Sequence, residues 1–295
     1  MNVQSPHPVL LSIGLLAGMS ACRSSAPALE SPDSAASSEP TKTAPAPAPA
    51  AQTPSLPKTV AKAPKPSFDH EHSALNALLK RFVKQGVVDY SGLKQERAAL
   101  TAYLGTLSAV ENHEGWSDAD KLAFWINAYN AWTLDLIFEA WPVESIKDLY
   151  PPDGPWKRAF IRLGLHPSEV SLNWIEHEVV RKQFKEPRIH FALVCASVSC
   201  PPLRNEAFTS KRLDEQLEDQ AKVFLNDRSK NTLDERRKTF RLSKIFEWYG
   251  GDFADEPKAV ARRIAPWMGP EAEALAKNPR MKVSFLPYDW GLNGR

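Results

Sequence analysis

The chain has 295 residues, 43% of them hydrophobic, with 9 Trp and 13 Phe, which is enough apolar side chain to fill one large core or two small ones. A formal net charge of only +2, with no block of Lys and Arg, excludes nucleic acid as an expected partner. Three cysteines and scattered histidines lack the tight paired spacing of structural zinc, and no glycine-rich phosphate loop is present, so neither a metal nor a cofactor is expected.

In chain order, Val9 to Met19 is an apolar run too short to span a bilayer but of the right length for a signal-peptide core. Met19-Ser20-Ala21-Cys22 follows and resembles the bacterial lipoprotein processing box. The resemblance implies that residues 1–22 are a signal segment, that Cys22 is lipidated and anchors the protein to a membrane, and that the protein sits in the bacterial cell envelope. Arg23 after the cysteine, rather than Asp, implies the periplasmic face of the outer membrane. Residues 23–67 are rich in Pro, Ala and Ser and hold no aromatic side chain, so they are predicted to be a disordered linker. Such a spacer reaches between roughly 40 Å as a coil and about 140 Å extended.

One folded domain is expected over residues 68–295. HEHSALNALLKRFV and LKQERAALTAYLGTL have helical periodicity and flank GVVDYSG, a short strand bounded by glycines. Asp118 to Ala140 is the most apolar helix of the chain. Ser117 and Asp120 give it a capping-box pattern, Trp141-Pro142 ends it, and its apolar residues cover most faces, so it is the predicted central buried helix. Arg158 to Gly164 reads as a strand and Asn173 opens a helix through NWIEHEVVRKQF. Ile189 to about Cys195 reads as the best strand. A helix near Thr209 to Asn226, a strand from Lys238 to Ser243, a short aromatic helix IFEWYGGDF, further helices to about Lys277 and a last strand in MKVSFLPYDW complete the pass. The interleaving predicts an α+β fold, with helices packed on a small, mostly antiparallel sheet.

The chemistry concentrates in RIHFALVCASVSCPPL, residues 188–203. On an unbroken strand His190 and Cys195 face opposite ways, so a bulge or strand end is needed to pair them. His190 is open to three readings: a buried, hydrogen-bonded core residue, a general base, or a metal ligand. With Cys22 given to lipid, Cys195 and Cys200 remain as a pair in an oxidising compartment. They read as a structural disulfide worth about 2 kcal/mol, as a free nucleophile, or as a redox or metal pair. Glu176 and His177 are adjacent on a helix and about 100° apart, so at most one of them faces a shared pocket; an ion-pair face including His177 with Arg181 is the alternative. Asn127 and Asn130, on the central helix, either bond neighbouring backbone or position a ligand. Asp289 is a candidate to orient a histidine, or else a turn residue. Trp125 reads either as part of the core or as a ligand platform.

The runs FWINAYNAW, IEHEVVR, RIHFALVCASVSCPPL, LSKIFEWYGGDF and YDWGLN, in this order, resemble the domain of unknown function 547 family. The similarity spans Phe68 to Asn293 and is densest from Leu122 to Phe253; Gly291 departs from the family's Ser after Asp-Trp. The resemblance implies the domain without naming its reaction. A more distant likeness to papain-like and transglutaminase-like folds implies a central helix packed on a sheet, with Asn127 where those enzymes carry their cysteine. Two functions are carried forward. One is a tethered, non-catalytic module holding a peptide or cell-wall fragment in a cleft, with Asn127, Asn130, Trp125 and Cys200 as binding residues. The other is a thiol-dependent hydrolase or acyl transferase with Cys195 as nucleophile, His190 as base, Glu176 or Asp289 as its orienting partner, and Asn127 or Asn130 binding the oxyanion. Strand parity and the oxidising compartment favour the first.

Overall fold

The structure, a computed structural model, describes residues 67–295. The signal segment, Cys22 and all of the linker but Ser67 lie outside the described residues.

Helix α1 (Ser73–Phe82) runs into a hairpin of β1 (Val83–Lys84) and β2 (Val87–Val88), followed by α2 (Tyr90–Gln95) and α3 (Arg97–Ser108). The strand expected near Val87 is therefore half of a two-residue-loop hairpin. Its loop residues Gln85 and Gly86 have φ of 50° and 79°, the left-handed pair that matches the twist of the flanking strands. Gly86 is required for a second reason: a Cβ there would lie 2.3 Å from the Cβ of Pro202.

Helix α4 (Asp118–Glu139) is the central element the sequence predicts. The Ser117 hydroxyl accepts the Asp120 N–H at 3.1 Å while the Asp120 carboxylate accepts the Ser117 N–H at 3.2 Å, which satisfies two donors the first turn would otherwise leave open. From Leu122 to Phe138 the helix is buried on nearly every face, and it packs against α3, residues Trp174–Val180 and the turn Ser210–Arg212.

Two expected strands are not strands. Arg158 to Gly164 contributes one bridge, Ile161 to Val170. Ile189 to Cys195 begins inside a 3-10 helix, Pro187–Phe191, and continues as a turn. Pro187 presets a helical φ at the start, the Glu186 carboxylate accepts the Arg188 N–H at 3.0 Å, and Glu186 and Asp214 both hold the Arg188 guanidinium at 2.7 Å. The apolar run is explained by two cores rather than by two sheet faces. Ile189, Ala192, Leu193 and Val194 pack into the core around α4, while Phe191 packs into a second core.

The helix expected from Asn173 forms, but Trp174–Val180 is wound as a π-helix before closing as α5 (Arg181–Gln183). Asn173 makes no side-chain cap; the Ser171 hydroxyl accepts the Trp174 N–H instead. The rest of the chain supplies α6 (Leu213–Leu225), β3 (Thr232–Asp234), β4 (Thr239–Leu242), α7 (Ile245–Trp248), α8 (Gly250–Phe253), α9 (Pro257–Met268), α10 (Pro270–Ala276) and β5 (Lys282–Phe285). β3 and β4 pair antiparallel and β5 lies parallel to β4, so the larger sheet is mixed. The domain is α+β. Its second core gathers Phe224, Phe240, Phe246, Phe253 and Ile264 around Phe191. Among the described residues, no helix is long and apolar enough to cross a membrane.

Candidate active site

The 3-10 helix and the turn after it run along the seam between the two cores, and the functional side chains project from that seam. A cavity of about 310 Å³ opens there, and its lining includes His190, Cys195, Cys200, Glu176, Tyr249 and Tyr288. Because the segment is not a strand, the parity that separated His190 from Cys195 does not apply, and both line one space.

His190 is almost fully buried and is held on two sides. Its Nε2–H donates to Oδ2 of Asp252 at 2.6 Å, and its ring stacks on Tyr249 with centroids 4.3 Å apart. Asp252 also receives Arg181 through two bonds, Nε to Oδ2 at 2.6 Å and Nη2 to Oδ1 at 2.7 Å. Hydrogen bonding from His190 and then from Arg181 holds the Asp252 carboxyl well below the usual carboxylate range. Arg181 in turn donates Nη1–H to Nδ1 of His177 at 2.9 Å; a guanidinium cannot accept, so this ring nitrogen is unprotonated. With its Nε2 committed to Asp252, His190 has Nδ1 as its remaining nitrogen for proton exchange.

The Cys195 thiol lies 3.1 Å from the Ser197 hydroxyl and 3.2 Å from the Tyr288 hydroxyl, which are themselves 3.1 Å apart. The Cys195 backbone N–H donates to Sγ of Cys200 at 2.8 Å. Both cysteines are free, so the expected disulfide is not what the structure contains. Burial pushes the Cys195 thiol up, but hydrogen bonding from Cys200, Ser197 and Tyr288 outweighs it and leaves Cys195 below the usual thiol range. Burial and the neighbouring sulfur push Cys200 well above that range. Tyr288, raised by burial and by the two thiols, stays a hydroxyl and can donate. A tight turn sets this geometry. Ala196 sits at φ 59°, and the C-terminal tail laces the turn through Val198 N–H to Gly291 O at 2.7 Å, Ser199 N–H to Asp289 O at 3.1 Å and Asn293 N–H to Ala196 O at 3.0 Å.

Glu176 also lines the cavity and is only 6% exposed. It hydrogen-bonds Tyr249, whose hydroxyl is raised by burial and then by this carboxylate. Of the adjacent pair, Glu176 faces the cavity and His177 turns to Arg181, as a 100° offset requires. The π-helical winding occurs at this point of the helix, a register shift often found where a side chain is aimed into a site.

The remaining sequence candidates stand elsewhere. Asn127 is buried and spends its amide on backbone, Nδ2 to Phe208 O at 2.7 Å and Phe208 N to Oδ1 at 3.0 Å. Asn130 does the same with Ala192 O and Val194 N, both at 2.9 Å. Neither lines the cavity, so the expected ligand role gives way to positioning, and Asn130 clamps the chain between His190 and Cys195. Trp125 is buried core, edge-on to Phe124 and Trp174. Asp289 caps its own turn by accepting the Gly291 N–H at 2.8 Å and does not reach His190. Cys200 does line the cavity. Among the described residues, no group of three or more His, Cys, Asp or Glu could hold a metal ion.

Sequence reasoning missed Asp252, Tyr288 and Arg181 as site residues. Asp252 lies in the quoted run LSKIFEWYGGDF, but 62 positions separate it from His190 and no local spacing links them. Tyr288 is the neighbour of Asp289, and the backbone turn aims only the former inward. A larger cavity, about 960 Å³, lies on the other side of the 195–200 turn, lined by the hairpin and the chain end; it holds no histidine and so no imidazole to serve a thiol.

The fold and site together define an α+β domain whose cavity holds a thiol and a carboxylate-bound imidazole. Residues 113–225 match the family model described as "Protein of unknown function, DUF547". The match takes in Glu176, Arg181, His190, Cys195 and Cys200, while Asp252 and Tyr288 lie beyond it. No curated protein and no solved structure matches the chain.

Proposed function

We propose that this domain is a thiol-dependent hydrolase or acyl transferase of the cell envelope, tethered there through Cys22. The observation that carries the reading is one cavity lined by both Cys195 and His190, with Nε2 of His190 on Asp252 at 2.6 Å. That bond fixes the tautomer and stabilises the imidazolium, which is the role an orienting carboxylate plays in acyl transfer. The Cys195 thiolate adds to an acyl carbon, and the oxyanion that forms meets the Tyr288 hydroxyl, which lines the cavity beside the sulfur. Collapse to the thioester releases the leaving amine or alcohol, which takes a proton from Nδ1 of His190. Water or a second nucleophile then attacks the thioester, gives its proton to His190, and restores the thiolate.

The envelope address rests on the first 22 residues, and a peptide or cell-wall fragment is the ligand class it favours. A second reading, a non-catalytic binding module, draws on the direct contacts of the Cys195 sulfur, which go to Ser197 and Tyr288 rather than to His190. The test combines peptide mapping after alkylation, without prior reduction, with turnover of fluorogenic peptide amides and thioesters. Alkylation of Cys195 and loss of turnover in Cys195→Ala and His190→Ala support the acyl-transfer reading. Resistance of Cys195 until a reductant is added would sink it. Ligand binding that survives Cys195→Ala with no turnover in the parent chain would establish the binding module.

A further inference from the structure

One wall of the cavity is aromatic and only partly buried. Trp248, Tyr288 and Trp290 form a ring cluster with centroids 4.9, 5.7 and 4.5 Å apart, Trp156 adds an edge contact to Trp290 at 5.5 Å, and all four rings line the cavity. Trp248 is 45% exposed, the only exposed large aromatic side chain among the described residues. Such faces are negative in their quadrupole and attract cations. Lys147, which does not line the cavity, already places its ammonium 5.1 Å over the Trp290 ring.

Charge inside the site points the same way. Glu176, 94% buried, faces the cavity and forms no salt bridge with any described residue; Arg181, which feels its charge, is held by Asp252 through two bonds. With Cys195 as thiolate and His190 as imidazolium, Glu176, Asp252 and Cys195 face Arg181 and His190, one positive charge too few. Moving the proton from His190 to Cys195 leaves that balance unchanged. Asp153 and Lys157 are both exposed and offset each other. A buried carboxylate without a countercharge is costly, and a cationic ligand supplies the missing one.

We propose that Glu176 and the Trp156, Trp248, Tyr288 and Trp290 wall form a cation subsite beside Cys195, so that the acyl compounds this cavity takes carry an ammonium or guanidinium group. The acyl part of the statement rests on the thiol reading; the cation part does not. Three maleimides of similar size separate the two: N-(2-aminoethyl)maleimide, N-ethylmaleimide and N-(2-carboxyethyl)maleimide, applied to the full chain, with Cys195 followed by peptide mapping and rates divided by those of N-acetylcysteinamide. The expected result is a cationic over neutral preference of about tenfold, an even slower anionic reagent, and a fall to within about threefold in Glu176→Gln. Trp248→Ala, at a half-exposed position, should lose about threefold of the preference. Reaction of Cys195 without a charge preference, or a preference that survives Glu176→Gln, overturns the subsite and leaves the thiol reading standing. If Cys195 reacts with none of the three, the thiol reading fails, and the subsite is decided by tryptophan fluorescence with choline against 3,3-dimethylbutanol. Saturation by choline alone supports it, and equal or absent response to both overturns it.

Discussion

Asn130→Ala removes the clamp that holds the chain between His190 and Cys195. The Asn130 amide donates to Ala192 O and accepts from Val194 N, both at 2.9 Å, and all three residues are buried, with Ala192 at 1% and Val194 at 4% exposure. Truncation leaves one buried carbonyl and one buried N–H without partners. At about 1–3 kcal/mol for each orphaned group the loss is about 2–6 kcal/mol, and a water entering the vacated volume would bring it toward the lower end, about 2 kcal/mol. Urea unfolding should show the midpoint falling at constant slope. Asn127→Ala makes the matched control. It orphans the same two kinds of group at Phe208, away from the cavity, and should lower stability comparably while leaving the alkylation rate of Cys195 unchanged. Asn130→Ala, at a temperature where it remains folded, should change that rate as well. A stability loss under about 0.5 kcal/mol, or identical Cys195 rates in the two variants, would refute the assignment of Asn130 as the residue that positions the site.

Three further outcomes follow from the geometry. Tyr288→Phe deletes a hydroxyl 3.2 Å from the Cys195 sulfur, so the thiol should rise and the rate–pH profile of alkylation should shift to higher pH; an unmoved profile counts against Tyr288 as a thiolate donor. His72 is buried against the Tyr103 hydroxyl at 2.7 Å, and burial lowers its pKa from 6.5 to about 4. The unfolded chain therefore binds the extra proton first, so this contribution to stability is full above about pH 6.5 and is lost as the pH falls toward 4, at up to about 1.4 kcal/mol per pH unit. The slope should be reduced in His72→Gln when both proteins are followed by denaturant midpoint across that window. Gly86→Ala places a methyl group 2.3 Å from Pro202 and strains a φ of 79°; a loss of about 2 kcal/mol or more in thermal unfolding is expected, and a neutral result would mean the hairpin does not pack on Pro202 as described.

Local pattern was enough for the α+β class and for α4 with its capping box, and it singled out Glu176, His190, Cys195 and Cys200, which line one cavity, although Cys200 entered as half of an expected disulfide. Those features depend on neighbours within a turn or two, on helical period, or on a reactive residue type in an apolar run, and each leaves a trace in a short window of sequence. The conformation of Pro187 to Val194 left a misleading trace. Its unbroken apolar pattern is that of a buried strand, yet it arises from packing into two cores at once, a fact carried by α4 on one side and by Phe224, Phe246 and Phe253 on the other. Asp252, Tyr288 and the clamp role of Asn130 were decided only by the tertiary structure, because hydrogen bonds 62, 93 and 64 positions apart join residues that no spacing rule connects. Sequence selects the groups that can do chemistry; the enclosure that brings a carboxylate to an imidazole, and a phenol to a thiol, comes from packing two cores against one short helix.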